Sequence, residues 1–158
     1  MVVDIGCGKK KRGDIGIDLS RDSDADVVAL LGFGCIPLKD DCADKVVAYD
    51  VLEHVSKVVD YRENGGWRRE YPFIQLVNEI HRILKPGGLF ESLTPCYPYS
   101  AVHQDPTHAS VITPETWLYF VENGPFDFQG QYQITARFAI REQRMEGPHL
   151  FSVLVASK

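Results

Sequence analysis

Five short apolar runs, Met1–Ile5, Ile15–Leu19, Asp26–Leu31, Val46–Tyr49 and Leu89–Leu93, recur along the chain between Gly, Asp and Pro boundaries. Each has the length of a strand, and none alternates cleanly between apolar and polar positions. Strands covered by helices on both faces of a mostly parallel sheet look like this. The last third of the chain has a different rhythm. Ile134, Ala136, Phe138 and Ile140 alternate with Thr135, Arg137, Ala139 and Arg141, the period-2 pattern of a half-exposed antiparallel strand. Leu150–Ala156 follows as its partner, with Glu146-Gly147-Pro148 as turn material.

Two helices are signalled between these runs. Phe73, Val77, Ile80 and Leu84 form one apolar stripe, with Pro72 in the first turn and Lys85-Pro86-Gly87-Gly88 as the stop. Thr113 and Pro114 open the second, whose stripe is Trp117, Phe120 and Val121 and whose stop is Gly124. A shorter helix is expected from Asp50 towards Lys57, and Asp60–Tyr71 reads as an insertion, either a lid or a loop.

At 158 residues, 44% hydrophobic and 25% charged, the chain suits one soluble domain, 1–158. No stretch approaches the roughly 20 apolar residues of a membrane span. Cys7, Cys35, Cys42 and Cys96 form no C-x-x-C pair, which points to a reducing, cytoplasmic setting rather than a disulfide framework. Seventeen basic against 22 acidic residues give a net charge of −5, which disfavours a broad nucleic-acid surface.

Chemistry begins at Val2-Val3-Asp4-Ile5-Gly6-Cys7-Gly8, a strand running straight into a glycine turn. Glycine there lets backbone approach a ligand, and the N–H groups past the strand end suit a negative group. Asp18, closing the next apolar run, is placed either to accept from ribose hydroxyls or to cap its own loop. The spacing is awkward, because only Lys9–Gly13 separates the first two runs and parallel neighbours need a crossover of about a dozen residues. A hairpin over Val2–Ile17 is the competing topology.

Taken together, VVDIGCG (2–8), DIGIDLS (14–20), IPLKDDCAD (36–44), AYDVLEHV (48–55) and EIHRILKPGGLF (79–90) resemble the class I S-adenosylmethionine-dependent methyltransferases, in that family's order. The likeness is to the methyltransferase type 11-like branch with a short link between its first two strands, which favours the parallel arrangement over the hairpin. The resemblance implies a doubly wound, Rossmann-like, seven-stranded sheet, mostly parallel, ending in an antiparallel hairpin. It implies S-adenosylmethionine as cofactor and methyl transfer to an oxygen, nitrogen or carbon nucleophile. It places Gly6, Cys7 and Gly8 along the methionine moiety, with Asp4 holding its ammonium end. It puts Asp18 on the ribose hydroxyls, Leu19 and Phe33 against adenine, and Tyr49 and Asp50 beside the sulfonium. Gly32 stands where much of the family has an Asp, so the usual polar contact to the base is missing. The resemblance leads us to expect a domain without the family's usual N-terminal cover helix, with an oligomer or a partner covering the cofactor instead.

The segment from Thr94 to His108 leaves a central strand at the end where ligands bind in open α/β sheets. His103 and His108 are its candidate bases, and Tyr97, Tyr99 and Asp105 its candidate acceptor-binding groups. An ordered loop bonded to its own backbone would use the same residues. A metal reading of His103 and His108, five apart with Asp105 between them, lacks a fixed third or fourth ligand, so no metal is expected. His54 reads as a hydrogen-bonded histidine rather than a base, and Lys9-Lys10-Lys11-Arg12 as a solvated turn rather than a carboxylate clamp. Two readings compete with the enzyme: a cofactor-binding or scaffold module of the same fold, and a nicotinamide enzyme. The absent third glycine of the dinucleotide fingerprint argues against the latter.

Overall fold

A computed structural model describes residues 1–126 and 132–158. Its main sheet has seven strands in the order β3-β2-β1-β4-β7-β9-β8. These are β1 (Val2–Ile5), β2 (Ile15–Asp18), β3 (Val27–Val28), β4 (Ala43–Tyr49), β7 (Leu84–Pro95), β8 (Phe138–Glu146) and β9 (His149–Ala156). The β1–β2, β1–β4, β2–β3 and β4–β7 pairs are parallel; β9 runs antiparallel to both β7 and β8. The sheet is therefore mostly parallel with a C-terminal antiparallel hairpin.

The Val2–Ile17 hairpin does not form. β1 lies parallel to β2, with Val3 opposite Ile15 and Ile5 opposite Ile17. The short link manages this without a helix by bonding back onto the strand it leaves. Asp14 N–H donates to the Val2 carbonyl at 2.8 Å, the Val2 N–H donates to Asp14 Oδ2 at 2.7 Å, and the Arg12 N–H donates to Asp4 Oδ2 at 2.6 Å. Gly13 lies so close that a Cβ there would sit 2.7 Å from the Val2 carbonyl oxygen.

Helix α1 (Pro72–Ile83) buries Phe73, Leu76, Val77, Ile80 and Ile83 against the sheet. It ends one residue before the expected stripe does. Leu84 turns extended and opens β7, consistent with the pressure that Pro86 puts on the residues before it to leave helical space. The Lys85–Gly88 segment bulges out between the Ala43–Leu84 and Lys45–Leu89 pairings. Behind α1, Trp117 sits edge-on to Phe90 at 5.6 Å and tilted to Phe73 at 6.2 Å, filling the core with aromatic rings.

Several local expectations need correction. The Asp26–Leu31 run pairs only at Val27–Val28, as a short edge strand. The helix expected from Asp50 is one 3-10 turn, Leu52–His54, because Asp50 adopts a left-handed backbone (φ 52°) and Val55 is already extended. Pro114–Phe120 is 3-10 rather than α, with Thr113 and Thr116 forming a reciprocal cap. Ile134 and Ala136 are buried as expected but precede β8. The backbone N–H groups of Thr135 and Ala136 donate to Asn78 Oδ1 instead of a strand neighbour. The Asp60–Tyr71 insertion is mostly a separate antiparallel pair, β5 (Val59–Glu63) and β6 (Gly66–Glu70), with Trp67 71% exposed on it.

Candidate active site

The carboxyl ends of β1, β2 and β4 converge on a cleft of about 290 Å³ whose walls include Gly6, Asp18, Leu19, Phe33, Val51 and His54. Gly6 has φ 67°, and a Cβ on it would fall 2.4 Å from Val51 Cγ2. Only glycine permits that approach of the turn to the chain leaving β4. Leu19, Leu30 and Phe33 are apolar and 62%, 52% and 41% exposed beside the cleft, so the site has a greasy rim around a polar floor.

Asp18 caps its own loop and also holds the glycine turn. Its Oδ2 accepts the Gly8 N–H at 2.9 Å and its Oδ1 accepts the Ser20 N–H at 2.8 Å. One carboxylate thus fixes the glycine turn and caps its own loop, while lining the cleft. Asp4 is fully buried on β1. Its Oδ2 takes the Arg12 N–H, and its Oδ1 has no hydrogen-bond partner among the described residues. Burial pushes the Asp4 carboxyl above the usual carboxylate range, with the Arg12 N–H and guanidinium pulling the other way.

Other expected residues sit around this floor rather than in it. Cys7 is buried, and burial raises its thiol pKa, as do the Asp18 and Asp4 charges. Gly8, at φ 55°, is the donor that Asp18 holds. Tyr49 donates to Glu91 and lies 5.1 Å under the Arg12 guanidinium. Asp50 is largely exposed, with the His149 ring nitrogen 3.2 Å away. The basic run divides its labour: Lys11 pairs with Asp26 at 2.8 Å, Arg12 covers Tyr49, and Lys9 and Lys10 are exposed.

Beyond β7, Tyr97 and Tyr99 are 70% and 46% exposed, and His103 is exposed on the short helix α2 (Ala101–Gln104). His108 does not meet His103. It meets His54, ring centroids 4.9 Å apart and nearly perpendicular. Backbone bonds bring them together: the Ala109 and Ser110 N–H groups donate to the Glu53 carbonyl at 2.7 and 2.9 Å, and Ser110 Oγ donates to the Val55 carbonyl. Glu53 is buried, accepts the Thr94 hydroxyl at 3.0 Å, and burial raises its carboxyl pKa. Asp105 accepts both the Thr107 N–H and hydroxyl, which hold its pKa below the usual range. Sequence reasoning missed the pairing of His54 with His108, and Glu53 beside them; only the LEH triplet hinted at it.

No family model matches this chain, and no curated protein matches it. Solved structures do. A chain from the complex of a Haloferax volcanii methyltransferase activator with a methyltransferase superposes with a TM-score of 0.61 at 17% identity, over 99% of this chain and 82% of that one. A SAM-dependent methyltransferase from Archaeoglobus fulgidus gives 0.60 at 15% identity, covering 99% and 85%. Another from Aquifex aeolicus gives 0.59 at 14%, covering 98% and 80%. The fold is that of the class I S-adenosylmethionine-dependent methyltransferases. At these identities the likeness speaks for the architecture, and the residues above must carry the chemistry. No helix among the described residues is long and apolar enough to cross a membrane.

Proposed function

We propose that this chain binds S-adenosylmethionine in the Gly6–Asp18 cleft and transfers its methyl group to a nucleophilic acceptor. The observation that carries this reading is the clasp of Asp18 on the glycine turn inside an apolar-rimmed cleft. The donor set fits the cofactor. A buried carboxylate oxygen on Asp4 lacks a partner, which suits an ammonium group, and the exposed Leu19 and Phe33 side chains offer faces to a flat base. Gly6, Cys7 and Gly8 take the methionine moiety, Asp18 the ribose hydroxyls, and Leu19 and Phe33 the adenine. Tyr49 and Asp50 are assigned to the sulfonium end by their place at the β4 terminus.

The bound cofactor supplies an already activated methyl group. The chain's own task is alignment and exclusion of water, with a base where the acceptor must lose a proton. His108 and His103 serve as the candidate bases, and Tyr97, Tyr99 and Asp105 as acceptor contacts. The apolar rim of the cleft is also where a partner or a second copy would cover the cofactor; the similar Haloferax structure is a complex with an activator. Four free thiols suit a cytoplasmic setting.

The test is calorimetric titration with S-adenosylmethionine, S-adenosylhomocysteine and NAD. Binding of the first two and not of NAD is the expected result. Binding of NAD alone would overturn the assignment, and an acceptor screen on a protein that binds the cofactor separates enzyme from scaffold.

A further inference from the structure

Glu53, His54 and His108 each offer one donor atom, and these atoms lie within 4.8 Å of one another. The hydrogen bonds around the two rings settle where their protons are. His108 Nδ1 is 2.9 Å from the Val102 carbonyl, which can only accept, so Nδ1 carries the proton. His54 Nδ1 is 3.0 Å from Thr107 Oγ1, whose own proton goes to Asp105 at 2.7 Å. That hydroxyl oxygen therefore accepts from His54 Nδ1. In their neutral forms both rings keep Nε2 as a lone pair, each oriented by a partner on the far nitrogen. Metal-ligating histidines are held in the same way, through a carbonyl or a hydrogen-bonded carboxylate on the other ring nitrogen.

We propose that Glu53, His54 and His108 form a binding site for a divalent transition metal of the zinc type on the wall of the cleft. Two imidazoles and one carboxylate are a donor set that such ions take with at least one position left open. Metal–ligand bonds of about 2.0–2.2 Å place tetrahedral ligands roughly 3.3–3.5 Å apart, so the triangle contracts on binding. The exposed His54 side chain has room to make that movement. His54 also lines the cleft, so the site borders the space in which we propose methyl transfer. On that reading, the metal would take an oxygen of the acceptor and favour its deprotonated form. Metal binding itself does not depend on that reading. With the metal bound, His108 is a ligand and not a base, and the site replaces the His103–His108 combination suggested by sequence spacing.

The full-length chain, stripped with chelator, is titrated with Co²⁺ and followed by its visible absorption, then challenged with Zn²⁺. The expected result is one equivalent bound with an intensified tetrahedral spectrum that Zn²⁺ abolishes. His54→Ala and His108→Ala should each weaken Co²⁺ binding by more than about tenfold, and Thr107→Val, at an exposed position, by about tenfold through the lost support of His54. His103→Ala should stay within about twofold of wild type. Absence of Co²⁺ and Zn²⁺ binding at millimolar metal would overturn the site. So would binding that survives His54→Ala and Thr107→Val in folded protein, or a loss with His103→Ala equal to theirs. The cofactor titration is run separately on wild type without metal, so failure there leaves this result standing.

Discussion

The two sides of the cleft are built in different ways. On the β1–β2 side, a glycine turn and its link are held by carboxylates on backbone N–H groups: Asp18 on Gly8 and Ser20, Asp4 on Arg12, Asp14 on Val2. On the β7 side, side chains from distant segments meet: His54 against His108, Thr107 against His54, Thr94 against Glu53. The first side is shaped by residues at most 12 positions apart, and at Gly6, Gly13 and Gly16 it leaves no room for a Cβ. The second is assembled by the tertiary fold from segments far apart in the chain.

Gly6→Ala should break the contrast most severely. It combines a left-handed backbone with a Cβ 2.4 Å from Val51 Cγ2, so the expected cost is about 2–5 kcal/mol in denaturant unfolding. Adding Val51→Ala should return part of that loss; a Gly6→Ala protein as stable as wild type would show that the turn is not tightly packed.

Asp18→Ala comes next. Charged hydrogen bonds contribute about 1.5–3 kcal/mol each, so S-adenosylmethionine affinity should fall ten- to a thousand-fold by calorimetry. Its two backbone partners add a stability loss of about 1–2 kcal/mol, and Asp18→Asn should fall between. Affinity within about twofold of wild type in a folded protein would remove Asp18 from the cofactor site.

The smallest effect has the opposite sign. Burial raises Asp4 above its usual 3.8, so the folded state holds that proton more tightly than the unfolded chain does. Stability from this group therefore declines as pH rises from the unfolded value through the folded one. Asp4→Asn should escape that decline and be the more stable protein at neutral pH, while binding the cofactor more weakly. A variant less stable than wild type at neutral pH, yet equal to it in acid, would mean that the charge is already compensated.

This contrast also governs what could be read from the residues alone. The glycine turn was legible because it needs only a strand and a turn close together, whereas the same short spacing pointed to a hairpin and it was the family resemblance that favoured the parallel sheet. The C-terminal hairpin was legible from its period, though its first strand starts later because Asn78, 57 residues from Thr135, takes over the backbone bonding. His103 and His108 looked like partners because they are five apart. His54 reaches His108 only through the bonds of Ala109 and Ser110 to Glu53, and no local pattern encodes a contact across that distance.

The helix-free link between β1 and β2 also matters for chain entropy. Val3 and Ile15 pair across twelve residues, whereas Leu89 and Val155 pair across sixty-six. Closure cost grows with the logarithm of loop length, which makes the first pairing about 1.5 kcal/mol cheaper in chain entropy than the second. A parallel pairing thus closes at the range of an ordinary hairpin. The part of the sheet that carries the glycine turn therefore re-forms after local opening at less entropic cost than the β7–β9 pairing.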